Sequence, residues 1–143
     1  LCEHRAILES AALRKAISHD RDRLVRDLGK AVGIMERAVG RDDGTAFTKG
    51  DMDFHTAIIN SGGNRSIAAT YQRTLSPLMA LRTHLFTAMN DRLDRSMDEH
   101  LALIDACKQG QANTAAKLIE EHIFHLSDAY RAALGKTAAQ LVV

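Results

Sequence analysis

Apolar residues recur every three or four positions through most of this chain, and this spacing constrains the fold more than any other feature of the sequence. Such a period gives an α-helix one apolar face, whereas the period of two that marks a half-buried strand is absent. Proline, which interrupts helices, occurs once, at Pro77. The sequence therefore predicts an all-α protein.

Turn-forming residues divide the chain into six predicted helices. The helices cover about residues 1–18, 21–39, 48–61, 66–89, 92–108 and 113–134, with a frayed tail. Gly62 or Gly63 is expected to end the third helix, and Asn64 or Ser66 to cap the fourth. Pro77 should kink or split that fourth helix. Because the loops are short and the helices long, we expect an antiparallel bundle.

The length and the charge of the chain limit the class of protein. We expect one domain over residues 1–143, which is long enough to bury a core. The formal net charge is +1, so the chain has no overall basic character for binding nucleic acid. No apolar run is long enough to span a membrane. Cys2 and Cys107 are far apart in sequence, and we interpret them as reduced thiols in a cytoplasmic protein.

Several polar residues interrupt otherwise apolar helix faces. Asp51 and His55 are four residues apart on the third helix, so their side chains lie on one face and can share a ligand. His100 lies on the apolar face of the fifth helix, and His122 or His125 on that of the last. Three imidazoles and one carboxylate that point inward from three helices can bind a divalent metal ion.

The alternative is an ordinary polar core, because a single histidine on an apolar face is usually a hydrogen-bonded core residue. His84, on the fourth helix, is either a substitute ligand or a surface residue. The remaining polar candidates are expected to be solvated, which leaves no general base beside a metal; they are His4, His19, Glu99, Glu120 and Glu121.

Arg82 is the second notable residue, since it lies within an apolar helix. Its guanidinium either reaches solvent, forms an internal ion pair or binds an anion, and a carboxylate suits its paired donors. Arg5 lies between Glu3 and Glu9 on the first helix, where we expect it to form an internal ion pair.

An ordered set of segments resembles one known family. The segments are Glu3-x-Arg5-x-x-Leu8-Glu9, Asp51-Met-Asp-Phe-His55, Ser61-Gly-Gly-Asn64, Glu99-His100-Leu-Ala-Leu-Ile-Asp-Ala106 and Ala115-Ala-Lys-Leu-Ile-Glu-Glu-His122-Ile. Their order and spacing are similar to those of the FadR-type C-terminal domain, or FCD domain, of GntR-family transcription regulators. The resemblance covers about residues 1–134.

The resemblance implies a bundle of six or seven helices and a metal site. The implied ligands are Asp51, His55, His100 and His122, and the metal is most often zinc, with nickel or manganese also found. A small carboxylate effector then binds at the metal and at Arg82. Arg5 and Asn64 also match family motifs, and we include both as candidate effector-binding residues.

The resemblance also implies what the domain does within a longer protein. Such domains sense a ligand, dimerise and control a winged helix-turn-helix that precedes them; that helix-turn-helix is absent from this chain. We therefore predict a non-enzymatic, homodimeric effector-binding domain of a bacterial transcription regulator, which would contact DNA only through the missing domain. The alternatives are a purely structural dimerisation bundle and a metal-dependent hydrolase.

One segment departs from the family pattern. The family often has Gly-Asp before the last helix, where this chain has Gly110-Gln-Ala-Asn113; the difference changes a helix cap and not the site.

Overall fold

Six helices make up the part of the chain that the structure describes. The structure is a computed structural model that describes residues 2–85 and 93–141, including their side chains except at 83 and 136–141. The helices are α1 (Cys2–His19), α2 (Arg21–Val39), α3 (Gly44–Ser61), α4 (Arg65–Leu85), α5 (Leu93–Lys108) and α6 (Ala112–Leu141). The described residues contain no strand, so the predicted all-α class is confirmed.

Side-chain caps and glycines set most helix boundaries. The carboxylate of Asp20 accepts a hydrogen bond from the backbone N–H of Arg23 at the start of α2. Gly63, after α3, and Gly110, after α5, have φ values of +70° and +69°, a backbone conformation that favours glycine. Asn64 accepts from the backbone N–H groups that follow it and thereby caps α4, as predicted.

Two predicted helix ends are wrong. Helix α3 begins at Gly44, several residues before the predicted start, because Asp43 caps it and Phe47 packs into the core with 0% of its surface exposed. Helix α6 was expected to end before Gly135, but it continues to Leu141. One glycine inside a helix costs only about 1 kcal/mol, which the surrounding helix-forming residues tolerate.

Pro77 does not split the fourth helix, which is continuous from Arg65 to Leu85. The proline is exposed, so the carbonyl group that loses its partner there can bind water. The predicted end of this helix near residue 89 and the predicted start of the next at residue 92 lie outside the described residues.

The helices form an antiparallel bundle, and α3 buries one face within it. The contacts of Arg14 with Asn113 and of Arg95 with His125 join antiparallel neighbours, α1 with α6 and α5 with α6. Helix α3 packs against α1, α2 and α4, and it buries Phe54, Ile58 and Ile59. The buried apolar side chains form a large core and a smaller cluster between α4 and α6, and α3 carries two of the predicted metal ligands into the large core.

The structure also describes the state of the two cysteines and the apolar character of the helices. Cys2 and Cys107 are both free thiols, and burial raises the pKa of Cys107 to about 12. None of the helices that the structure describes is both long enough and apolar enough to cross a membrane.

Candidate metal centre and inner cavity

The structure brings the four predicted ligands together. Asp51 and His55 lie one turn apart on α3, His100 lies on α5 and His122 on α6. All four are buried, and one potential ligand atom from each lies within 4.8 Å of the others. The spacing of residues along three separate helices therefore did predict a cluster in space.

The Nε2 atoms of the three histidines face Asp51 or lack a partner. His100 Nε2 lies 3.0 Å from Asp51 Oδ1, and His55 Nε2 lies 3.5 Å from the same oxygen. Among the described residues, His55 Nε2 and His122 Nε2 are buried with no hydrogen-bond partner. An unpartnered buried nitrogen is costly, so these two atoms fit ligands to a metal ion better than an ordinary polar core.

The opposite nitrogen of each ring, Nδ1, is anchored to a hydrogen-bond acceptor. His55 Nδ1 lies 2.5 Å from the carboxylate of Glu9, and His122 Nδ1 lies 2.6 Å from that of Glu99. His100 Nδ1 lies 2.6 Å from the backbone carbonyl oxygen of Ser96. When these Nδ1 atoms donate, each Nε2 is left with a free lone pair, the arrangement in which histidine binds a metal.

Glu9 is the most enclosed of these acceptors, with 0% of its surface exposed. Besides His55, it accepts hydrogen bonds from Arg5 Nε at 3.0 Å and from the Tyr71 hydroxyl at 2.6 Å. Burial alone would raise the pKa of Glu9, but the charges of His55 and Arg5 and the hydrogen bonds lower it to about 2. The ion pair predicted for Arg5 is thus confirmed, and it belongs to the surroundings of the candidate metal centre.

The expectation that Glu99 is solvated is wrong. Its carboxylate lies 2.6 Å from both His122 Nδ1 and His125 Nδ1, and it accepts from Arg95 Nε at 3.1 Å. Burial would raise the pKa of Glu99, but the hydrogen bonds from His122 and His125 lower it to about 2. Glu99 occupies one ring nitrogen of His125, and Arg95 lies 2.8 Å from the other. His122, rather than His125, therefore has a nitrogen available at the cluster.

The electrostatics of the cluster favour a charged Asp51 carboxylate and a neutral His122 ring, whereas the pKa of His55 is raised because the opposing effect of burial is outweighed by the charge of Glu9. Burial would raise the pKa of Asp51, but the Arg82 charge and the neighbouring histidines hold it well below its usual value. Burial and the charge of His100 lower the pKa of His122 to about 3, so its ring stays neutral. A deprotonated carboxylate and neutral imidazoles are the forms that bind metal ions.

Arg82 is buried beside this cluster, so it does not extend into solvent. Its Nε lies 3.6 Å from Asp51 Oδ2, and its Cζ lies 5.2 Å from the centre of the Phe47 ring. Its Nε and Nη1 have no hydrogen-bond partner in the described part of the chain. The guanidinium is therefore held in place with donors that remain free for an anion.

A cavity, which we call the inner cavity, opens between α1, α3, α4 and α6. The described residues that line it are Arg5, Thr48, Asp51, Met52, His55, Leu75, Leu78, Met79, Arg82 and Tyr130. Three of them, Arg5, Thr48 and Arg82, carry buried donor atoms for which the described residues supply no partner. The cavity thus joins an apolar wall to a polar end, and its volume of about 10 Å³ admits about one water-sized molecule in this arrangement of the helices.

The remaining predicted residues lie elsewhere. Asn64 is exposed, caps α4 and is not among the described residues that line the inner cavity. His4, His19 and His84 are exposed, as expected for surface residues. Sequence reasoning missed the parts played by Glu9 and Glu99, although Glu9 lies four residues from Arg5 and Glu99 is the direct neighbour of His100.

Comparison with known proteins identifies relatives for nearly the whole chain. The model of the FCD domain family matches residues 1–125. The HTH-type transcriptional repressor NanR of Escherichia coli strain K12 is 28% identical over 129 residues, which are 90% of this chain and 48% of the relative. NanR of Salmonella newport strain SL254 is 26% identical over 138 residues, 96% of this chain and 52% of the relative. The chain therefore spans about half the length of the curated relatives it matches.

Proposed function

The chain belongs to the FCD domain family, and from that premise we propose that it is the effector-binding domain of a transcription regulator that holds a divalent metal ion and a small carboxylate. The relatives named above are repressors of the helix-turn-helix type, which supports a regulatory function. Any contact with DNA would be made by a region outside this chain, and we expect the domain to work as a homodimer.

One observation carries the proposal: two histidine nitrogens and two nitrogens of one guanidinium are buried at one point in the bundle without hydrogen-bond partners among the described residues. His55 Nε2, His122 Nε2 and two nitrogens of Arg82 lack hydrogen bonds within the described residues. The metal would be held by Asp51 and the three histidines, which suits zinc and also nickel or manganese. When bound, it would supply a Lewis-acidic anchor for the effector's carboxylate.

Several residues of the inner cavity would each make a different contact with the effector. Arg82 donates to the carboxylate from a position fixed by Phe47 and Asp51. Arg5 and Thr48 offer further buried donors in the inner cavity, and the apolar wall excludes water. We assign Asn64 to capping α4, and we propose Arg82 and Arg5 as the effector-binding residues.

Control of DNA binding would follow from the position of these groups on five different helices. An effector that binds one arrangement of the helices more tightly shifts the population toward it. A tenfold change in affinity for an operator needs only about 1.4 kcal/mol of such differential binding.

Titration calorimetry of the zinc-loaded chain with a panel of small monocarboxylates tests this proposal. We expect at least one acid to bind, and Arg82→Gln to weaken it by about tenfold or more because a charge-assisted hydrogen bond contributes about 1.5–3 kcal/mol. Arg73→Gln, an exposed arginine on the same helix, is the control and should bind as the wild type does. Equal binding by Arg82→Gln and wild type would remove Arg82 from the site.

A further inference from the structure

Helix α2 contributes no side chain to the candidate metal centre, and its outer face carries a line of positive charge. Arg26, Lys30 and Arg37 are exposed and follow one another at steps of four and seven residues, so they share one face of the helix. We call these three residues the basic stripe. The acidic residues of α2 lie to either side of it; they are Asp22, Asp27 and Glu36.

The positive charge of the basic stripe is largely unbalanced. Within the described part of the chain, Lys30 and Arg37 form no ion pair, and Arg26 has only one with Asp27, at 3.7 Å. That pair joins two partly exposed side chains, and such pairs contribute little. The stripe is therefore free to bind an acidic partner.

A line of negative charge with the same spacing lies on α5. Asp94, Asp98 and Asp105, which we call the acidic stripe, are exposed and also follow at steps of four and seven residues. No described residue forms an ion pair with any of the three. Leu101 lies on the same face, a large apolar side chain with 46% of its surface exposed. Each stripe extends over about 16 Å of helix, so the two match in length as well as in spacing.

The two stripes lie side by side on the surface of the bundle, because α2 packs against α5. The first residue of α2 lies against Gly110, which follows the end of α5, so the two helices run antiparallel. Counted from that contact, Arg26 is level with Asp105, and Arg37 is level with Asp94. One surface thus carries a row of cations beside a row of carboxylates, with their ends in register.

Such a surface is complementary to a second copy of itself. A two-fold axis that runs between α2 and α5, parallel to both, would place α2 of each copy on α5 of the other. Arg26 would then face Asp105 of the second copy, Arg37 would face its Asp94, and Lys30 would face the middle of its acidic stripe. Opposite charges meet in both halves of this arrangement, whereas α2 placed on a second α2 would be repelled.

We propose that α2 and α5 form the interface between two copies of this chain, with the basic stripe of each copy on the acidic stripe of the other. The inference deepens the proposed function, which expects a homodimer without assigning it a surface, and it requires neither metal nor effector. Because exposed ion pairs are weakened by salt, the dimer should dissociate as the salt concentration rises. Since α5 also carries His100, the interface and the candidate metal centre would share a helix.

The test is a charge exchange followed by sedimentation velocity of the purified chain. We expect the wild type to be a dimer at about 0.05 M salt and to dissociate more at about 0.5 M. Arg26→Glu/Arg37→Glu and Asp94→Lys/Asp105→Lys should each raise the dissociation constant about tenfold or more, because the symmetry makes every substitution act twice. An equal mixture of the two variants should form dimers again, since each altered stripe then meets the opposite charge.

The control is Lys15→Glu/Arg131→Glu, which makes the same change of net charge at exposed positions on α1 and α6. It should remain a dimer, and it should not recruit fluorescently labelled Asp94→Lys/Asp105→Lys as the charge-matched stripe variant does. Zinc binding should be the same in every variant, because no substituted residue belongs to the candidate metal centre.

Three results would overturn the interface. If the variant with the reversed basic stripe is as dimeric as the wild type, or if the mixture does not restore dimers, the copies do not meet through α2 and α5. A wild type that stays monomeric at low salt would also remove the expected homodimer. Zinc and carboxylate binding are measured separately, so the metal and effector parts of the proposed function would stand or fall independently of these outcomes.

Discussion

At the scale of single residues, the candidate metal centre depends on groups that do not themselves reach the metal. Each histidine is anchored through Nδ1, and the acceptors are Glu9, Glu99 and the Ser96 carbonyl. The two carboxylates also accept hydrogen bonds from arginines. Glu9 thereby links His55 to Arg5, and Glu99 links His122 to Arg95. Loss of such a link should therefore affect metal binding and folding together.

Glu9→Gln tests this coupling, because it keeps the shape of the side chain and removes its charge. We expect zinc affinity to fall about 10- to 100-fold, as is usual when an outer partner of a ligand histidine is lost. The free energy of unfolding of the metal-free chain should fall by about 3 kcal/mol, since Arg5 would remain buried without its counter-charge.

Competition with a zinc-sensitive dye and chemical denaturation measure the two quantities for this variant. Glu3→Gln is the matched control, an exposed glutamate on the same helix, and it should change neither. If Glu9→Gln binds zinc as tightly as the wild type does, the hydrogen bond to His55 does not organise the centre.

At the scale of the elements, α3 is the helix on which the site depends most. It carries Asp51 and His55, and it approaches α2 so closely that Gly50 lies directly against Met35. A Cβ atom on Gly50 would lie 2.8 Å from Met35 Cγ and 3.1 Å from the backbone nitrogen of Met35. The absence of a side chain at this position therefore sets the distance between the two helices.

Gly50→Ala should destabilise the chain by about 1–3 kcal/mol, because the added methyl group has no space unless α2 and α3 separate. Gly29→Ala is the opposite case on α2: no atom lies within 4 Å of its added Cβ. That substitution should stabilise the chain by up to about 1 kcal/mol through helix propensity alone. Thermal denaturation of both variants checks the pair, and a stable Gly50→Ala with an unchanged melting temperature would contradict the close packing.

The elements also show how far the sequence alone can predict this structure. Helical spacing correctly predicted that Asp51, His55 and His100 meet a histidine of the last helix, because it fixes which face of a helix each residue occupies. The spacing left His122 and His125 open, and the family resemblance selected His122. Spacing did not reveal the bonds from Glu9 to His55 or from Glu99 to His122, since these depend on how two helices are rotated and shifted against each other. The boundary errors were of a different kind: at α3 a cap and core packing extended the helix, and at α6 the helix-forming residues around Gly135 outweighed the glycine.

At the scale of the whole molecule, the candidate metal centre and its supporting groups draw side chains from every described helix except α2. The four proposed ligands come from α3, α5 and α6, and their supporting groups come from α1, α4 and α5. A metal ion there would link helices that are far apart in the sequence, and a bound acid would add α4 through Arg82. Sensing of an effector by this chain, as proposed, therefore depends on the presence of that metal ion.

The most direct test is the metal content of the purified chain, measured by elemental mass spectrometry after incubation with zinc and removal of the excess. We expect about one zinc per chain in the wild type and none in the double variant Asp51→Ala/His100→Ala. The control pair His4→Ala/His19→Ala removes two exposed histidines and should retain the metal. A wild type without zinc, or a double variant that binds as much as the wild type, would contradict the proposed metal site and leave the four residues as a polar core.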